Sequence, residues 1–232
     1  MIMRNTITIN GTSSATIEGL LIQTLPPITK PLMRTDIVEI DGRAGDIVTE
    51  LGYAAYDKSF LIGLYGDYDV DEVIAFFAAS GTVTFSNEPD KYYIFKSIAQ
   101  IDFERLVRYR TAEVTLHVQP YKYPTSETPK TGTTGVNVTN SGNAVAFPRI
   151  TIEGSGTVGL YLNYEQIFTI SLGTSDTITI DCSEMEATGQ GVLRNRDVVG
   201  NYELFALPHG LSHITTSGTV TSISVSNYKR WI

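Results

Sequence analysis

Residues 111–124 read TAEVTLHVQPYKYP, and this stretch decides the class of fold. Apolar side chains fall on every second position from Ala112 to Val118, and polar side chains occupy the positions between them. A period of two places successive side chains on opposite faces of a β-strand. The stretch therefore predicts a strand with one buried face, which continues into an uncommon Pro-Tyr-Lys-Tyr-Pro end.

Patterns with the same period surround this stretch in the first half of the chain. They predict strands at residues 6–10, 37–41, 59–65, 82–86, 91–97 and 98–106, and another from Ile47. The turn at residues 42–45 (GRAG) has glycines that can take a positive φ. One helix is expected from Asp69, which can cap it, to Ser80, with Val73, Phe76, Phe77 and Ser80 on one face and Gly81 ending it.

The composition changes after Pro124. Residues 124–135 (PTSETPKTGTTG) carry no large apolar side chain, which favours a linker or a long surface connection. Beyond them we expect short, evenly spaced strands, which indicate a β-sandwich, at residues 146–153, 157–163, 167–172, 177–181 and 220–226. The sequence thus predicts a mainly β protein with domains at residues 1–124 and 136–232, joined by a linker at residues 125–135.

The charge balance excludes several classes of protein. The net charge is −8 and the sequence pI is about 4.9, so a surface built to hold nucleic-acid phosphates is not expected. No run approaches the roughly 18 apolar residues that span a bilayer, and residues 1–10 lack the pattern of a signal peptide. The one cysteine, Cys182, excludes an intramolecular disulfide and favours folding in a reducing compartment such as a cytoplasm.

Two motifs that resemble ligand sites are better explained by structure. Residues 154–159 (GSGTVG) spell G-x-G-x-x-G, but strand-like alternation follows where a dinucleotide site needs a helix, so we expect a turn. His209 and His213 have the spacing of zinc ligands on a helix. Because Pro208 and Gly210 flank the first of them, no helix is expected there, and loop histidines are the better interpretation.

The sequence contains no motif that indicates catalysis. Asp67, Asp69 and Asp71 alternate as in an EF-hand loop, but the required glycine and glutamate are missing, and helix capping explains the cluster. No nucleophile elbow is present, and none of the three histidines has an evident partner. We therefore expect a protein that is not an enzyme and that holds no cofactor and no metal.

Four patterns, in this order, resemble the distal tail protein family of siphophages. They are the turn at residues 41–46, the Pro-Tyr-Lys-Tyr end at residues 120–123, the segment NSGN (140–143) leading into FPRITIEG (147–154), and a final run through residues 180–181, 204–208, 210 and 230–231. The Pro-Tyr-Lys-Tyr end is the most specific of them. The ordered set extends over nearly the whole chain.

The resemblance implies both a fold and a function. It implies an N-terminal β-sandwich with one α-helix, followed by a C-terminal galectin-like β-sandwich. It further implies a homohexameric ring at the tip of a virion tail, assembled in the bacterial host cytoplasm. One face of such a ring meets the tail-tube protein and the other meets the tail-associated lysin or baseplate hub. Receptor-binding proteins are mounted on this assembly, and DNA passes through its open centre.

Two sets of side chains are candidates for contact with other molecules. For the channel we expect an acidic lining, contributed by Asp36, Glu39, Asp41 and Asp46, with Arg34 and Arg43 offsetting part of the charge. An alternative function is that of a carbohydrate-binding adsorption protein that uses the C-terminal domain, with saccharide contacts at Tyr161, Tyr164, Tyr202 and Trp231. A second alternative is a hydrolase of the cell wall.

Overall fold

The computed structural model describes residues 4–42 and 44–232 and divides the chain into two compact units. The first unit extends to Thr125, and the second comprises Ser126–Trp231. Strands dominate both units, which confirms the prediction of a mainly β protein. The packing of either unit as a sandwich, and the galectin-like character of the second, stay predictions.

The first unit is built on one seven-stranded antiparallel sheet with strand order β2-β1-β7-β8-β9-β6-β3. A separate two-stranded sheet pairs β4 with β5. The elements are β1 (Ile7–Ile9), β2 (Thr12–Ser13), β3 (Leu20–Ile22), β4 (Met33–Val38), β5 (Ile47–Tyr53), β6 (Tyr56–Leu64), α1 (Val70–Phe76), β7 (Gly81–Phe85), β8 (Lys91–Ile98), α2 (Phe103–Tyr109) and β9 (Thr111–Pro124).

Strand β9 holds a central place in the sheet because it pairs with β6 on one side and β8 on the other. Every second side chain from Ala112 to Val118 is buried, as the sequence predicts. The strand continues through the Pro-Tyr-Lys-Tyr segment as far as Pro124. That segment contributes contacts outside the apolar core as well, since the Tyr123 ring stacks on the Tyr92 ring at 5.5 Å.

Helix α1 begins as predicted and ends earlier. The Asp69 side chain accepts a hydrogen bond from the Asp71 backbone N–H at 2.9 Å, which confirms the predicted cap. The helix ends at Phe76, and the backbone of Phe77 already leaves helical geometry. The expected extension to Ser80 and the role of Gly81 as terminator are therefore wrong. Early termination lets the Phe77 ring pack against both Phe76 and Phe60, at centroid distances of 4.9 and 6.5 Å.

A second helix, α2, replaces part of the strand predicted at residues 98–106, and the expectation of one helix is wrong in this respect. The Asp102 side chain accepts from the Arg105 backbone N–H at 2.8 Å and so caps the helix. Arg110 ends it in the left-handed region with φ 58°. Leu106 is fully buried and packs from α2 into the core. The helix therefore does not need the alternating apolar side chains that a half-buried strand would need.

A cluster of polar side chains is buried beside the apolar core of the first unit. Lys122 Nζ donates to Glu88 Oε1 at 3.1 Å, and the Tyr93 hydroxyl donates to Glu88 Oε2. Lys58 Nζ lies 4.7 Å from the centre of the Tyr93 ring and donates to the Pro27 carbonyl at 2.9 Å. Burial lowers the pKa of Lys58 to about 8, and Lys122 adds to this effect while Glu88 opposes it. These buried groups are thus hydrogen-bonded, as stability requires.

The second unit is built on an eight-stranded sheet whose main path runs β10-β17-β12-β13-β14-β15. Two further strands join it, since β11 pairs with β17 and β16 pairs with β13. The elements are β10 (Lys130–Gly132), β11 (Gly135–Asn140), β12 (Arg149–Leu162), β13 (Glu165–Asp181), β14 (Glu186–Gly189), β15 (Val192–Leu193), β16 (Val198–Gly200) and β17 (Gly210–Ser226).

Long strands take the place of the short ones predicted in this unit. Strands β13 and β17 have 17 residues each, and β12 has 14. The G-x-G-x-x-G segment is therefore not a turn between strands but a bulge inside β12, where the pairing with β13 and β17 shifts register. Gly154 permits the close approach to β17 there, because a Cβ atom would lie 2.3 Å from the Thr219 carbonyl oxygen.

Part of the predicted linker is folded onto the second unit. Residues 130–132 form β10 and pair with Ile223–Val225 of β17. The Tyr228 hydroxyl donates to the Thr128 carbonyl at 3.0 Å. The polar composition of this segment therefore reflects an edge position in the sheet, where one side of the backbone faces water. Among the described residues, no helix has the length and apolar character needed to cross a membrane.

We predict that Phe77→Ala lowers the free energy of unfolding of the first unit by about 3–5 kcal/mol, the usual cost of emptying a core phenylalanine site. The ring is 5% exposed and belongs to the apolar core. Urea denaturation measures the change. Ile74→Ala on the same helix is the control, because that side chain is 40% exposed. Losses of similar size in the two variants would contradict the assignment of Phe77 to the core.

Candidate interaction site

The β4–β5 hairpin carries large apolar side chains that are exposed in the part of the first unit that the structure describes. Ile37 and Val48 are directly opposite each other across the two strands, and each is 55% exposed. Val38 and Ile47 form the next pair and point to the other face. Both of these are also exposed. A two-stranded hairpin is only marginally stable alone, so exposed apolar pairs on both faces indicate a surface that meets a partner.

The exposed Asn87 and the buried Lys58 fix the segment that leads into the hairpin. Asn87 Nδ2 donates to the Pro26 carbonyl at 3.0 Å, and Lys58 donates to the next carbonyl, that of Pro27. At the base of the hairpin, the Ala54 N–H donates to the Leu32 carbonyl at 2.8 Å. The hairpin is therefore anchored at its base while its distal part is exposed.

The Pro-Tyr-Lys-Tyr segment contributes directly to this anchoring. The ring of Tyr121 meets the ring of Tyr53 edge to face at 6.1 Å, and Tyr53 is the last residue of β5. Lys30 Nζ lies 5.6 Å from the centre of the same Tyr53 ring. The motif that is most specific in the sequence thus connects the central strand β9 to the base of the hairpin.

The four acidic side chains predicted to line a channel all belong to this hairpin, and all four are exposed. Asp36 lies on β4 opposite Thr49, and the other three follow in the connection to β5 or beside it, at Glu39, Asp41 and Asp46. Gly42 and Gly45 of that connection take φ values of 79° and 80°, as the sequence predicts for a glycine turn. Arg43 lies outside the described residues, and Arg34 donates to the Leu51 carbonyl across the hairpin at 3.2 Å.

The four candidate saccharide contacts are placed in different environments. The Tyr161 hydroxyl donates to Gln166 Oε1 at 3.2 Å on the sheet surface. Tyr202 packs its ring against buried Phe168 at 5.0 Å and so contributes to the core. Trp231 is half-buried near the end of the chain. Only Tyr164 presents most of its side chain to solvent, with 81% exposed.

Tyr164 has neighbours that the sequence did not associate with it. The imidazole of His213 lies 6.0 Å from its ring and is tilted by 32°. Asn137 Oδ1 is 2.7 Å from His213 Nδ1, and Asn163 Oδ1 accepts from the His213 backbone N–H at 2.9 Å. His213 thus belongs to strand β17 rather than to a loop, which corrects its predicted place. Strand pairing of Asn137 with His213 produces this neighbourhood, and no local pattern shows such a pairing.

His209 and Cys182 are both held within the fold of the second unit. His209 Nδ1 lies 2.8 Å from the Gly142 carbonyl oxygen, whereas His213 Nδ1 lies 2.7 Å from Asn137 Oδ1. Burial raises the pKa of the Cys182 thiol to about 12, so this thiol is protonated at neutral pH. Across residues 4–42 and 44–232, no group of three or more His, Cys, Asp or Glu side chains is arranged to hold a metal ion.

Known proteins resemble this chain in structure rather than in sequence. No family model matches the sequence, and no curated protein matches it at a significant level. The crystal structure of the Dit protein of phage SPP1 matches with a TM-score of 0.67 and 14% sequence identity. That match covers 99% of this chain and 100% of the SPP1 chain, which is described as a paradigm of the hub adsorption apparatus in phages that infect Gram-positive bacteria.

Two baseplate structures match with lower scores. The phage P2 baseplate in its activated conformation with calcium gives a TM-score of 0.45 at 10% identity, covering 100% of this chain and 99% of that chain. The phage p2 baseplate with strontium gives 0.48 at 12% identity, covering 95% and 97%.

The SPP1 match over the full length of both chains defines the class: this chain has the fold of a phage tail hub protein. In particular, it has the fold of Dit, the distal tail protein, which confirms the resemblance found in the sequence.

We predict that Tyr164→Gly raises the free energy of unfolding of the second unit by about 0.5–1 kcal/mol. Asn163 and Tyr164 form a two-residue turn between β12 and β13, with φ values of 49° and 75°. Such turns favour Asn-Gly, and the left-handed region costs a residue with a side chain about 1–2 kcal/mol. Loss of the contact with His213 offsets part of the gain. Thermal denaturation measures the difference.

The matched control for this prediction is Tyr164→Ala, which removes the same ring but keeps the Cβ atom in the left-handed region. We expect no stabilisation from alanine, because the backbone conformation at φ 75° is unchanged. Equal stability of the glycine and alanine variants would show that backbone strain at Tyr164 does not contribute.

Proposed function

We propose that this protein is a structural component of a phage tail tip, where six copies form a ring that joins the tail tube to the tail-associated lysin or baseplate hub. The full-length similarity to the fold of SPP1 Dit is the single observation that carries this proposal. In this function the ring lies in the virion tail after assembly in the bacterial host cytoplasm. Receptor-binding proteins are further partners.

The exposed hairpin supports a ring in particular. A closed ring needs two different patches on each copy, because each copy meets one neighbour with one patch and the other neighbour with the second. The hairpin supplies a patch of apolar side chains that is anchored at its base and uncovered elsewhere. We therefore assign ring formation to residues 1–124 and docking of further tail proteins to residues 136–232, with residues 125–135 as the connection.

The proposed function is not enzymatic, and it needs no cofactor. The nearest rival in the same virion is a hydrolase of the cell wall. Zymography on cell-wall substrate with the purified chain separates the two, and we expect no clearing. The other alternative, a carbohydrate-binding adsorption protein, is favoured by the surroundings of Tyr164 and is treated in the next subsection.

We predict that the purified chain assembles into a hexamer of about 152 kDa, six times its mass of 25.4 kDa. The double variant Ile37→Asp/Val48→Asp should be monomeric, because each copy would place two carboxylates in an apolar contact. Mass photometry and light scattering measure the assembly state. Val192→Asp/Leu193→Asp is the control, since these side chains are exposed in the second unit to a similar degree. Equal assembly of both variants would exclude the hairpin from the ring contact.

The hairpin also provides the proposed lining of the channel. Asp36, Glu39, Asp41 and Asp46 put four carboxylates on one exposed element of each copy. A basic lumen would hold phosphates, and each contact would have to be broken as the duplex moves. An acidic lumen repels the duplex over roughly 8 Å at physiological salt and lets it pass.

We predict that the wild-type ring shows no sub-micromolar binding of duplex DNA at about 150 mM salt, where non-specific binders usually reach only about 1–100 µM. Changing Asp36, Glu39, Asp41 and Asp46 to lysine should create binding that weakens steeply with salt. Fluorescence anisotropy with a labelled duplex measures both.

The control for this experiment changes four exposed glutamates of the second unit to lysine: Glu165, Glu184, Glu186 and Glu203. Both variants have the same net charge. A difference in their DNA binding therefore depends only on where the lysines lie. DNA binding by the wild-type ring, or equal binding by the two variants, would contradict an acidic lumen formed by the hairpin.

A further inference from the structure

Tyr164 combines high exposure with an unfavourable backbone. A large side chain with φ 75° is an outlier, because only glycine and small polar residues adopt this region at little cost. Burial offers no compensation, since 81% of the side chain is exposed. Strain that packing does not compensate is often found at sites of function. The ring therefore lies exposed at the end of the β12–β13 hairpin.

Hydrogen-bonding groups with fixed orientation adjoin this ring. The carbonyl oxygen of the Asn137 amide only accepts, so the nearby His213 Nδ1 carries the proton in their 2.7 Å hydrogen bond. The Asn137 Nδ2 group supplies two further donors, and the second ring nitrogen of His213 is another polar atom beside it. The surface thus offers an aromatic face beside hydrogen-bonding groups.

Asn137 also lines a shallow depression, together with other residues of the second unit. Its volume is about 340 Å³, and hydroxyl groups come from Thr139, on the same face of β11 as Asn137, and from Ser141, just after the strand. Two lysines, Lys130 and Lys229, also line it. The lining is completed by Leu211 and Tyr228.

We propose that this surface binds a saccharide chain carrying acidic groups, with one sugar ring stacked on Tyr164. A sugar ring has an apolar C–H face that fits an aromatic ring, and hydroxyl groups at its edge that both donate and accept. Asn137 and His213 match those hydroxyls. The two lysines add positive charge to the depression, which fits carboxylate or phosphate groups on the following sugars.

The composition of the surface favours a saccharide over a protein partner. The centre of a protein interface is apolar and poor in charge. Here the ring is flanked by amide, imidazole and hydroxyl groups, and Leu211 is the one large aliphatic side chain among the residues that line the depression. This inference does not depend on ring formation, because all of its residues belong to the second unit.

The test measures binding of the full-length chain to hexasaccharides immobilised on a biolayer sensor. Two acidic probes, oligogalacturonate and hyaluronan, are compared with two neutral probes, maltohexaose and chitohexaose. We expect binding of an acidic probe that Tyr164→Gly and Asn137→Ala each weaken at least tenfold. Tyr164→Phe should retain it, since the aromatic face is kept. Lys130→Ala/Lys229→Ala should remove the preference for acidic over neutral probes.

Two comparisons keep a structural effect apart from a binding effect. Tyr164→Gly is expected to be more stable than the wild type, so loss of binding in this variant cannot reflect unfolding. Tyr109→Ala changes an exposed tyrosine of the first unit, 65% exposed, and should bind as the wild type does. Absence of binding to all four probes, or binding that is unchanged in Tyr164→Gly, would overturn the proposal and leave Tyr164 to a protein contact.

Discussion

Two lysines and one glutamate meet in the interior of the first unit, and the arrangement of that unit depends on them. Glu88 accepts from Lys122 of β9 and from Tyr93 of β8, while Lys58 of β6 reaches the carbonyl of Pro27. A buried charge is costly unless it is paired and hydrogen-bonded, so removing one partner leaves the others unsatisfied. The cluster therefore fixes three strands of the sheet and the chain segment before the β4–β5 hairpin in one arrangement.

That constraint determines where the exposed hairpin lies. Its base is anchored through Pro26, Pro27 and the contact of Tyr53 with Tyr121, while its apolar side chains are exposed among the described residues. The core holds the base of the hairpin in place, and the hairpin has apolar surface that a neighbouring protein could bury. This division of roles suits a protein that is completed by assembly, because surface hidden in a complex need not be polar.

The second unit contains the opposite case, in which exposed structure is kept at a cost in stability. Tyr164 occupies a left-handed turn position that glycine would fill with less strain, and its ring is mostly exposed. The neighbouring Asn137 and His213 are held by strand pairing and by their mutual hydrogen bond. Some residues depart from local conformational preferences without contributing to the core. Such residues are candidates for contact with other molecules.

The sequence alone determined what depends on local patterns: the mainly β class, the buried face of β9, the cap at Asp69 and the glycine turn at residues 42–45. It could not show that residues 103–109 form a helix, because their few apolar positions fit the period of a strand as well as that of a helix. The packing of Leu106 into the core favours the helix. Nor could it show that GSGTVG is a bulge, since this depends on the approach of Thr219 from β17. The four acidic residues share the hairpin as expected. The surroundings of Tyr164 come from three segments far apart in sequence, and only the pairing of strands in the folded sheet brings those segments together.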